Sequence, residues 1–600
     1  MKNKYFKYLI QSIVILAVIF GYYVLTSNGL GNKPFYLQLR RFASIATLFT
    51  IFINVLAPKV NKEFFYSFTI TSVLWATVYP ITYKLTYNST MPFFSNHFDI
   101  VFALYTFMGL SSLAYLLCKY FSNIIATIIS STVQFIMLLL PLSQLVYYAT
   151  FGTCVSEAAV TAIYQTNLAE AKEFLLQTFG YIGCVMSLVL SVILYYLLYR
   201  LNTYGFRTIS KSDITSKRSI VFLLLLAIVG NVYAFGNSFR QTGIMTVAIN
   251  VHNYFKKAGE FNIYHQERYN KLVVAAPNKP FSKPSTIIFV IGESASRTFM
   301  SAYNPLHQRD TTPWLREQKS NPNFILFPHA YSSRFGTVPS LERALTEKNQ
   351  YNNIDFNKST TIIDIAKKAG YHTIWFSNQG TIDVADTPIT LVGKTADSCK
   401  WTNEDPASVQ YDGALLSYLK TVNPNQNNFI ILHFMGSHDN FQNRYPVEFA
   451  KWGNPNINEP ILNYDNSLYY SDYVLSQIYE YSKKHLNLQA MVYMSDHGNV
   501  PDHKRHPDKS PFTALRIPLF VYVSDEYRDI YPETYHALEA NRDKYFTNDL
   551  TYDLLCGILN VKSPNYDETQ SLASPHYKYT RETLRTNLGT MLLTDDIDEK

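Results

Sequence analysis

Thr286-Ile287-Ile288-Phe289-Val290-Ile291-Gly292-Glu293-Ser294 is the stretch that decides the fold. Its apolar residues run without alternation, stop at a glycine, and hand over to a carboxylate. A short run of this kind reads as a strand buried on both faces. A carboxylate at its end has to be paired or coordinated, because an isolated buried charge is very costly. Ala490-Met491-Val492-Tyr493-Met494 repeats the pattern and ends in Ser495-Asp496-His497-Gly498. In an open α/β sheet the carboxyl ends of the strands are where sites form.

Working outward, strands are expected at Thr286–Ile291, Asn323–Phe327, Thr373–Phe376, Asn428–His433, Ala490–Met494 and Pro518–Val523. Helices are expected at Ile362–Lys368, Asp412–Val422, Asp472–Lys484 and Asp549–Leu559. Such alternation predicts an α/β/α domain over residues 284–600, a mostly parallel sheet covered by helices.

Glu293, Asp496 and His497 offer two oxygens and an imidazole nitrogen at two strand ends. That set suits a zinc-like ion and leaves room for a fourth ligand. The bland alternative for Glu293 is an ion pair with Arg297. A nucleophilic hydroxyl fits the fourth place, since a metal lowers the pKa of a hydroxyl that is otherwise inert at neutral pH. Thr337, in Gly336-Thr337-Val338-Pro339-Ser340, is one candidate. Ser340 competes, and is also the expected N-cap of a helix starting near Leu341. Among the histidines, His438 ends a strand on the same edge and suits a leaving-group acid or a phosphate-oxygen ligand. His433, His503 and His506 are further candidates.

Residues 1–237 have a different character. Apolar stretches of about 18 to 23 residues lie near 7–26, 41–58, 67–86, 100–119, 123–145, 178–199 and 218–236, each long enough to cross a bilayer core. Seven crossings are expected, or five if the runs containing Pro58 and Pro80 lie at the interface. No small-residue cleavage site follows the first run, which reads as a retained anchor. Lys2, Lys4, Lys7, Lys59, Lys62, Lys119, Arg200 and Arg207 fall on one side, against Lys33, Arg40, Arg41, Lys84 and Lys172 on the other. The positive-inside rule then puts the C-terminal domain outside the cytoplasm. The outer loop at 146–177 has helical spacing from Ala158 to Leu175, as either a surface-lying amphipathic helix or a packing helix. Residues 238–283 read as a polar connector.

The net charge of +7 comes without a basic stripe interleaved with aromatics, so nucleic acid is not an expected partner. Five cysteines, Cys118, Cys154, Cys184, Cys399 and Cys556, form no metal-knuckle spacing and no dense disulfide framework.

The soluble half resembles a known family. Gly292-Glu293-Ser294-Ala295-Ser296-Arg297, Met300-Ser301-Ala302-Tyr303-Asn304 and Arg309-Asp310-Thr311-Thr312-Pro313 look like the signature of lipid-linked phosphoethanolamine transferases. These are membrane members of the sulfatase and alkaline phosphatase superfamily. Trp375-Phe376-Ser377-Asn378-Gln379, Leu432-His433 with Gly436-Ser437-His438, Arg444-Tyr445-Pro446, Tyr464-Asp465-Asn466 and Ser495-Asp496-His497-Gly498 follow in the family order. In the membrane half, Gln165-Thr166-Asn167 with Glu170-Ala171 resembles the family's outer loop.

The resemblance implies Glu293, Thr337, Asp496 and His497 as ligands of a catalytic zinc, with Thr337 the residue that becomes phosphorylated. It places His438 near the transferred phosphate and makes His506 the counterpart of a second such histidine, with His503 competing; His433 is taken as a further substrate-binding residue. Thr166 and Glu170 match residues facing the lipid headgroup. One zinc is expected, with a second conceivable on His438 and substrate oxygens. The implied donor is phosphatidylethanolamine; the acceptor is lipopolysaccharide, at a core sugar or lipid A, or another envelope glycan. The implied setting is a bacterial inner membrane with the catalytic domain in the periplasm. Two departures stand out: Asn499 where the family usually has Glu, and Asp439 where Gly is usual. The rival readings are a phosphoglycerol transferase on the same fold and a non-catalytic membrane envelope protein. A sulfatase would need a Cys or Ser turned into formylglycine, and no Cys lies near Thr337.

Overall fold

The run that opened the sequence forms β1, Thr286–Gly292, buried at every position. Six further strands join it in one sheet: β2 Phe324–Leu326, β3 His372–Ser377, β4 Ser398–Trp401, β5 Asn428–His433, β6 Leu488–Ser495 and β7 Leu519–Val523. The computed structural model describes residues 2–26, 35–87, 93–166, 168–207, 209, 215–277, 280–379, 387–402, 411–454, 459–502 and 511–598. Strand order is β2-β7-β6-β1-β5-β3-β4. β6, β1, β5, β3 and β4 pair in parallel, while β7 is antiparallel to β6 and to β2.

Side chains of a strand alternate between faces, and here the two faces feed two separate apolar cores. Ile287, Phe289 and Ile291 join one core with Val492 and Met494. Ile288 and Val290 join the other with Met491 and Tyr493. Both faces being covered is why the sequence shows no polar alternation. The register then fixes the site: Gly292 stands opposite Ser495, so Glu293 and Asp496 leave adjacent strands side by side, with the Asp496 N–H donating to the Gly292 carbonyl at 3.0 Å.

Several boundaries differ from expectation. The helix expected at Asp472–Lys484 runs from Pro460 to His485, because the buried face continues upstream through Tyr464 and Leu468. Asp412–Val422 is helical only in the short turns Asp412–Ala414 and Leu415–Leu419. β4 was not expected; Ser-Cys-Lys-Trp has no apolar pattern and gains its place by pairing with β3. The polar connector contains two helices, Gly243–Gly259 and Phe261–Lys271. The outer-loop helix is interrupted, with Glu157–Gln165 and a helix starting at Leu168 in place of one continuous element.

The chain divides into two compact units. One comprises Met1–Tyr164 and Phe174–Asn253; the other comprises Gln165–Glu173 and Tyr254–Lys600. Among the described residues of the first, seven helices are long and apolar enough to cross a membrane: Tyr5–Thr26, Leu39–Lys59, Lys62–Tyr87, Phe98–Tyr120, Asn123–Phe151, Thr178–Phe206 and Lys217–Gln241. The second and third qualify despite their prolines. Pro58 falls in the turn after the second helix, and Pro80 is accommodated inside the third.

Three of these helices are joined by a buried polar network. Ser67 donates to Asn202 Oδ1 at 2.6 Å, and Asn202 Nδ2 donates to Ser131 Oγ at 3.0 Å and Gln134 Oε1 at 2.8 Å. Gln134 Nε2 closes the ring on Ser67 Oγ at 3.1 Å. Interhelical hydrogen bonds are the available glue where lipid removes the hydrophobic drive. Asn202→Leu is expected to destabilise the membrane unit by about 1–3 kcal/mol. The check is the unfolding midpoint in detergent; a midpoint equal to wild type would mean the network contributes nothing.

Candidate metal centre

At the end of β1 the backbone turns sharply. Ser294 sits at φ 58, a conformation costly for a residue with a Cβ and concentrated at functional sites. Two bonds hold it there: its N–H donates to Asp496 Oδ1 at 2.9 Å and its hydroxyl to Glu293 Oε1 at 2.7 Å. The His497 N–H also donates to Asp496 Oδ1, at 2.7 Å. This fixes the Asp496 carboxylate so that its other oxygen, Oδ2, points into the site with no hydrogen-bond partner.

His497 Nδ1 lies 2.7 Å from the Gly498 carbonyl. A carbonyl can only accept, so Nδ1 carries the proton and Nε2 presents its lone pair. That Nε2 lies 3.5 Å from Glu293 Oε1 and 3.3 Å from Asp496 Oδ2. Glu293, Asp496 and His497 offer ligand atoms all within 4.8 Å of one another, and all three residues are buried. Burial and then the neighbouring Asp496 charge push the Glu293 carboxyl up; burial likewise raises Asp496. Two buried carboxylates and an imidazole this close together, with Asp496 Oδ2 lacking a hydrogen-bond partner, fit a divalent cation. Glu293 does not take the ion-pair alternative: among the described residues Arg297 instead lays its guanidinium 5.1 Å over the ring of Tyr331.

Thr337 is the first residue of the helix Thr337–Ala344, entered through Gly336 at φ 118, a value only glycine adopts without strain. Its Oγ1 donates to Glu293 Oε2 at 3.0 Å and it stays half-buried, open to a substrate. Ser340 differs on both counts. It lies inside the first turn of that helix rather than at its N-cap. Its hydroxyl is fully buried, donating to the Asp496 carbonyl at 2.7 Å and accepting from Asn548 Nδ2 at 2.8 Å.

His438 is carried by the loop after β5, half-buried. Gly436, at φ 50, lets this loop pass so close to Glu293 that a Cβ would lie 2.7 Å from the Glu293 carbonyl. Buried Asp412 holds the loop from beneath, accepting from the Met435 N–H at 2.8 Å and the Gly436 N–H at 2.9 Å. The two family departures meet here, Asn499 Nδ2 donating to Asp439 Oδ1 at 3.2 Å. Gln379 was not singled out from the sequence. It donates to Glu293 Oε2 at 3.2 Å and the Phe434 carbonyl at 2.8 Å, a contact between distant segments that no local pattern announces.

His433 is 3% exposed, with Nδ1 3.3 Å from Ser377 Oγ and its ring against Trp375. It is packed beneath the strand ends instead of facing the open site. His503 and His506 lie outside the described residues. Thr166 is half-buried, and the segment Gln165–Glu173 belongs to the soluble unit. The side chain of Glu170 is outside the described ones.

Burial lowers His433 to about 3, so the ring stays neutral in the folded protein while the unfolded chain binds a proton near the ordinary 6.5. Its contribution is full above that value and is lost as pH falls toward 3. Stability should therefore drop by about 2 kcal/mol between about pH 6.5 and about pH 5. Chemical unfolding of His433→Asn should show a smaller acid loss than wild type, and equal losses would refute a buried neutral histidine.

Comparison with known proteins follows the same division. A sulfatase family model matches residues 285–556. Phosphoethanolamine transferase EptC of Escherichia coli K12 is 27% identical over 494 residues, covering 76% of this chain and 83% of that one. Phosphoethanolamine transferase CptA of Salmonella typhimurium is 25% identical over the same length and the same shares. In fold, the chain resembles the integral membrane lipooligosaccharide phosphoethanolamine transferase A of Neisseria meningitidis. The TM-score is 0.55 at 17% identity, covering 84% of this chain and 97% of that one.

Proposed function

We propose that this chain, which belongs to the lipid-linked phosphoethanolamine transferases of the sulfatase and alkaline phosphatase superfamily, transfers phosphoethanolamine from phosphatidylethanolamine to a cell-envelope acceptor such as lipopolysaccharide. The observation that carries this reading is Thr337 Oγ1 at the open start of a helix, 3.0 Å from a carboxylate of the buried acceptor cluster. A hydroxyl aimed in this way is built to attack, and the cluster beside it is built to hold a cation.

In the first half-reaction the Thr337 oxygen bonds to phosphorus and the bond to the diacylglycerol oxygen breaks. In the second, an acceptor oxygen displaces Thr337 and the threonine hydroxyl is regenerated. Glu293 Oε2 holds the threonine proton and orients the hydroxyl. The helix start adds a modest field favouring negative charge on that oxygen. Glu293, Asp496 and His497, with Thr337, would hold one zinc ion. When bound, zinc lowers the pKa of a coordinated hydroxyl and offsets charge on phosphoryl oxygens. His438 is assigned to the phosphate oxygens or the leaving oxygen. The seven apolar helices keep the enzyme in the membrane its donor occupies, consistent with an inner-membrane protein whose catalytic unit lies in the periplasm.

Peptide mass spectrometry after incubation with phosphatidylethanolamine and zinc should find a phosphoethanolamine adduct on Thr337. Thr337→Ala should lower transfer by about a thousandfold or more while leaving the fold intact. An adduct on Ser340, or near-normal turnover of the variant, would remove Thr337 from this role. A phosphoglycerol adduct would keep the chemistry and change the donor.

Stripping divalent metal with a chelator should abolish transfer and lower the melting midpoint of the soluble unit, because a ligand held only by the folded state stabilises it. Zinc should restore both. Full activity in chelator would contradict a metal centre here.

A further inference from the structure

Among the groups that hold the loop carrying His438 are three side chains, one of them from a distant part of the chain. Asp412 holds its start and Asn499 its middle. The third is Glu173, in the segment between the membrane-capable helices Asn123–Phe151 and Thr178–Phe206. Glu173 Oε2 accepts from Asn440 Nδ2 at 2.7 Å and lies 3.4 Å from Arg444 Nη2. Arg444 turns back onto the loop: its Nε donates to the His438 carbonyl at 3.2 Å and its Nη2 to the Asp439 carbonyl at 2.7 Å.

Each member of this arrangement needs the others. Asn440 sits at φ 63, a left-handed conformation that asparagine tolerates but does not prefer, and its side chain is fixed by Glu173. Arg444 is only 9% exposed at its side chain, and Glu173 is 33% exposed. A guanidinium that far out of water is held by its acceptors. Besides Glu173, these are the two loop carbonyls, and Asp412 is the other carboxylate within electrostatic reach. Removing Glu173 leaves Arg444 without its direct counter-charge and Asn440 without its acceptor.

We infer that Glu173 is a positioning residue for the catalytic loop: through Asn440 and Arg444 it sets the placement of His438 beside Glu293. The inference rests on the reading of His438 as a group at the transferred phosphate. Glu173 precedes the break at Gly180 and the membrane-capable helix Thr178–Phe206, in a short segment that belongs with the soluble unit. A soluble fragment beginning at Tyr254 lacks this tie.

The test uses the full-length protein in a lipid–detergent mixture with phosphatidylethanolamine as donor. Glu173→Ala should lower kcat by about tenfold, with the donor KM and the melting midpoint near wild type. Glu173→Gln keeps an acceptor for Asn440 and should recover to within about threefold of wild type. Hydrogen exchange of peptide 436–444 should speed up in Glu173→Ala, with peptides 286–292 and 488–495 unchanged. Wild-type exchange in that loop would overturn the inference, and so would faster exchange with unaltered kcat, which would leave Glu173 a structural tie alone. Exchange needs no turnover, so it judges the tie independently of the chemistry. Undiminished transfer by His438→Ala would count against the role given to that histidine, and the kcat of Glu173→Ala would then decide whether the loop matters at all.

Discussion

Everything around the centre depends on bringing two carboxylates and an imidazole together in a buried place where they repel one another. Glu293 and Asp496 both leave strands of a parallel sheet, and the pairing of Gly292 with Ser495 forces them side by side. Water cannot relieve the repulsion at that depth, so the fold surrounds the carboxylates with backbone and hydroxyl donors. The Ser294 and His497 N–H groups take one oxygen of Asp496, and the Ser294 and Thr337 hydroxyls take the two oxygens of Glu293. What stays unsatisfied is Asp496 Oδ2, beside His497 Nε2 at 3.3 Å, and this is the part a cation would complete.

The contrast between two neighbouring hydroxyls follows from the same constraint. Ser340 and Thr337 share one helical turn, yet their hydroxyls have opposite fates. Ser340 is spent holding the Asp496 carbonyl, together with Asn548, so it buttresses the ligand loop. Thr337, three residues earlier and half-buried, is left facing the Glu293 carboxylate. Rigid support on one side and an open hydroxyl on the other is how a site is preorganised without being sealed.

The sequence made the sheet legible because a parallel sheet buries both faces, which leaves unbroken apolar runs in β1, β5 and β6. It made the ligands legible because charged residues directly after such runs are expensive and therefore few. The long helix Pro460–His485 was half missed because its early turns are rich in tyrosine and asparagine, residues that mark burial poorly. β4 and the connector helices were missed because their partners, not their own patterns, decide their conformation. The burial of His433 was not legible for a related reason: position at a strand end does not tell how deeply a ring is packed.

By itself, then, the sequence determined a membrane-capable half of five to seven apolar helices, a helix-covered sheet, and a set of ligand residues at two strand ends. These are local properties of hydropathy period and residue chemistry. Only the tertiary structure buried the Ser340 hydroxyl and set that of Thr337 on Glu293, put Gln379 on Glu293, joined Asn499 to Asp439, and brought Glu173 to Arg444. Those contacts link residues far apart in the chain, and a hydrogen bond depends on distance and direction in space. Neither is written into the spacing of residues along the chain.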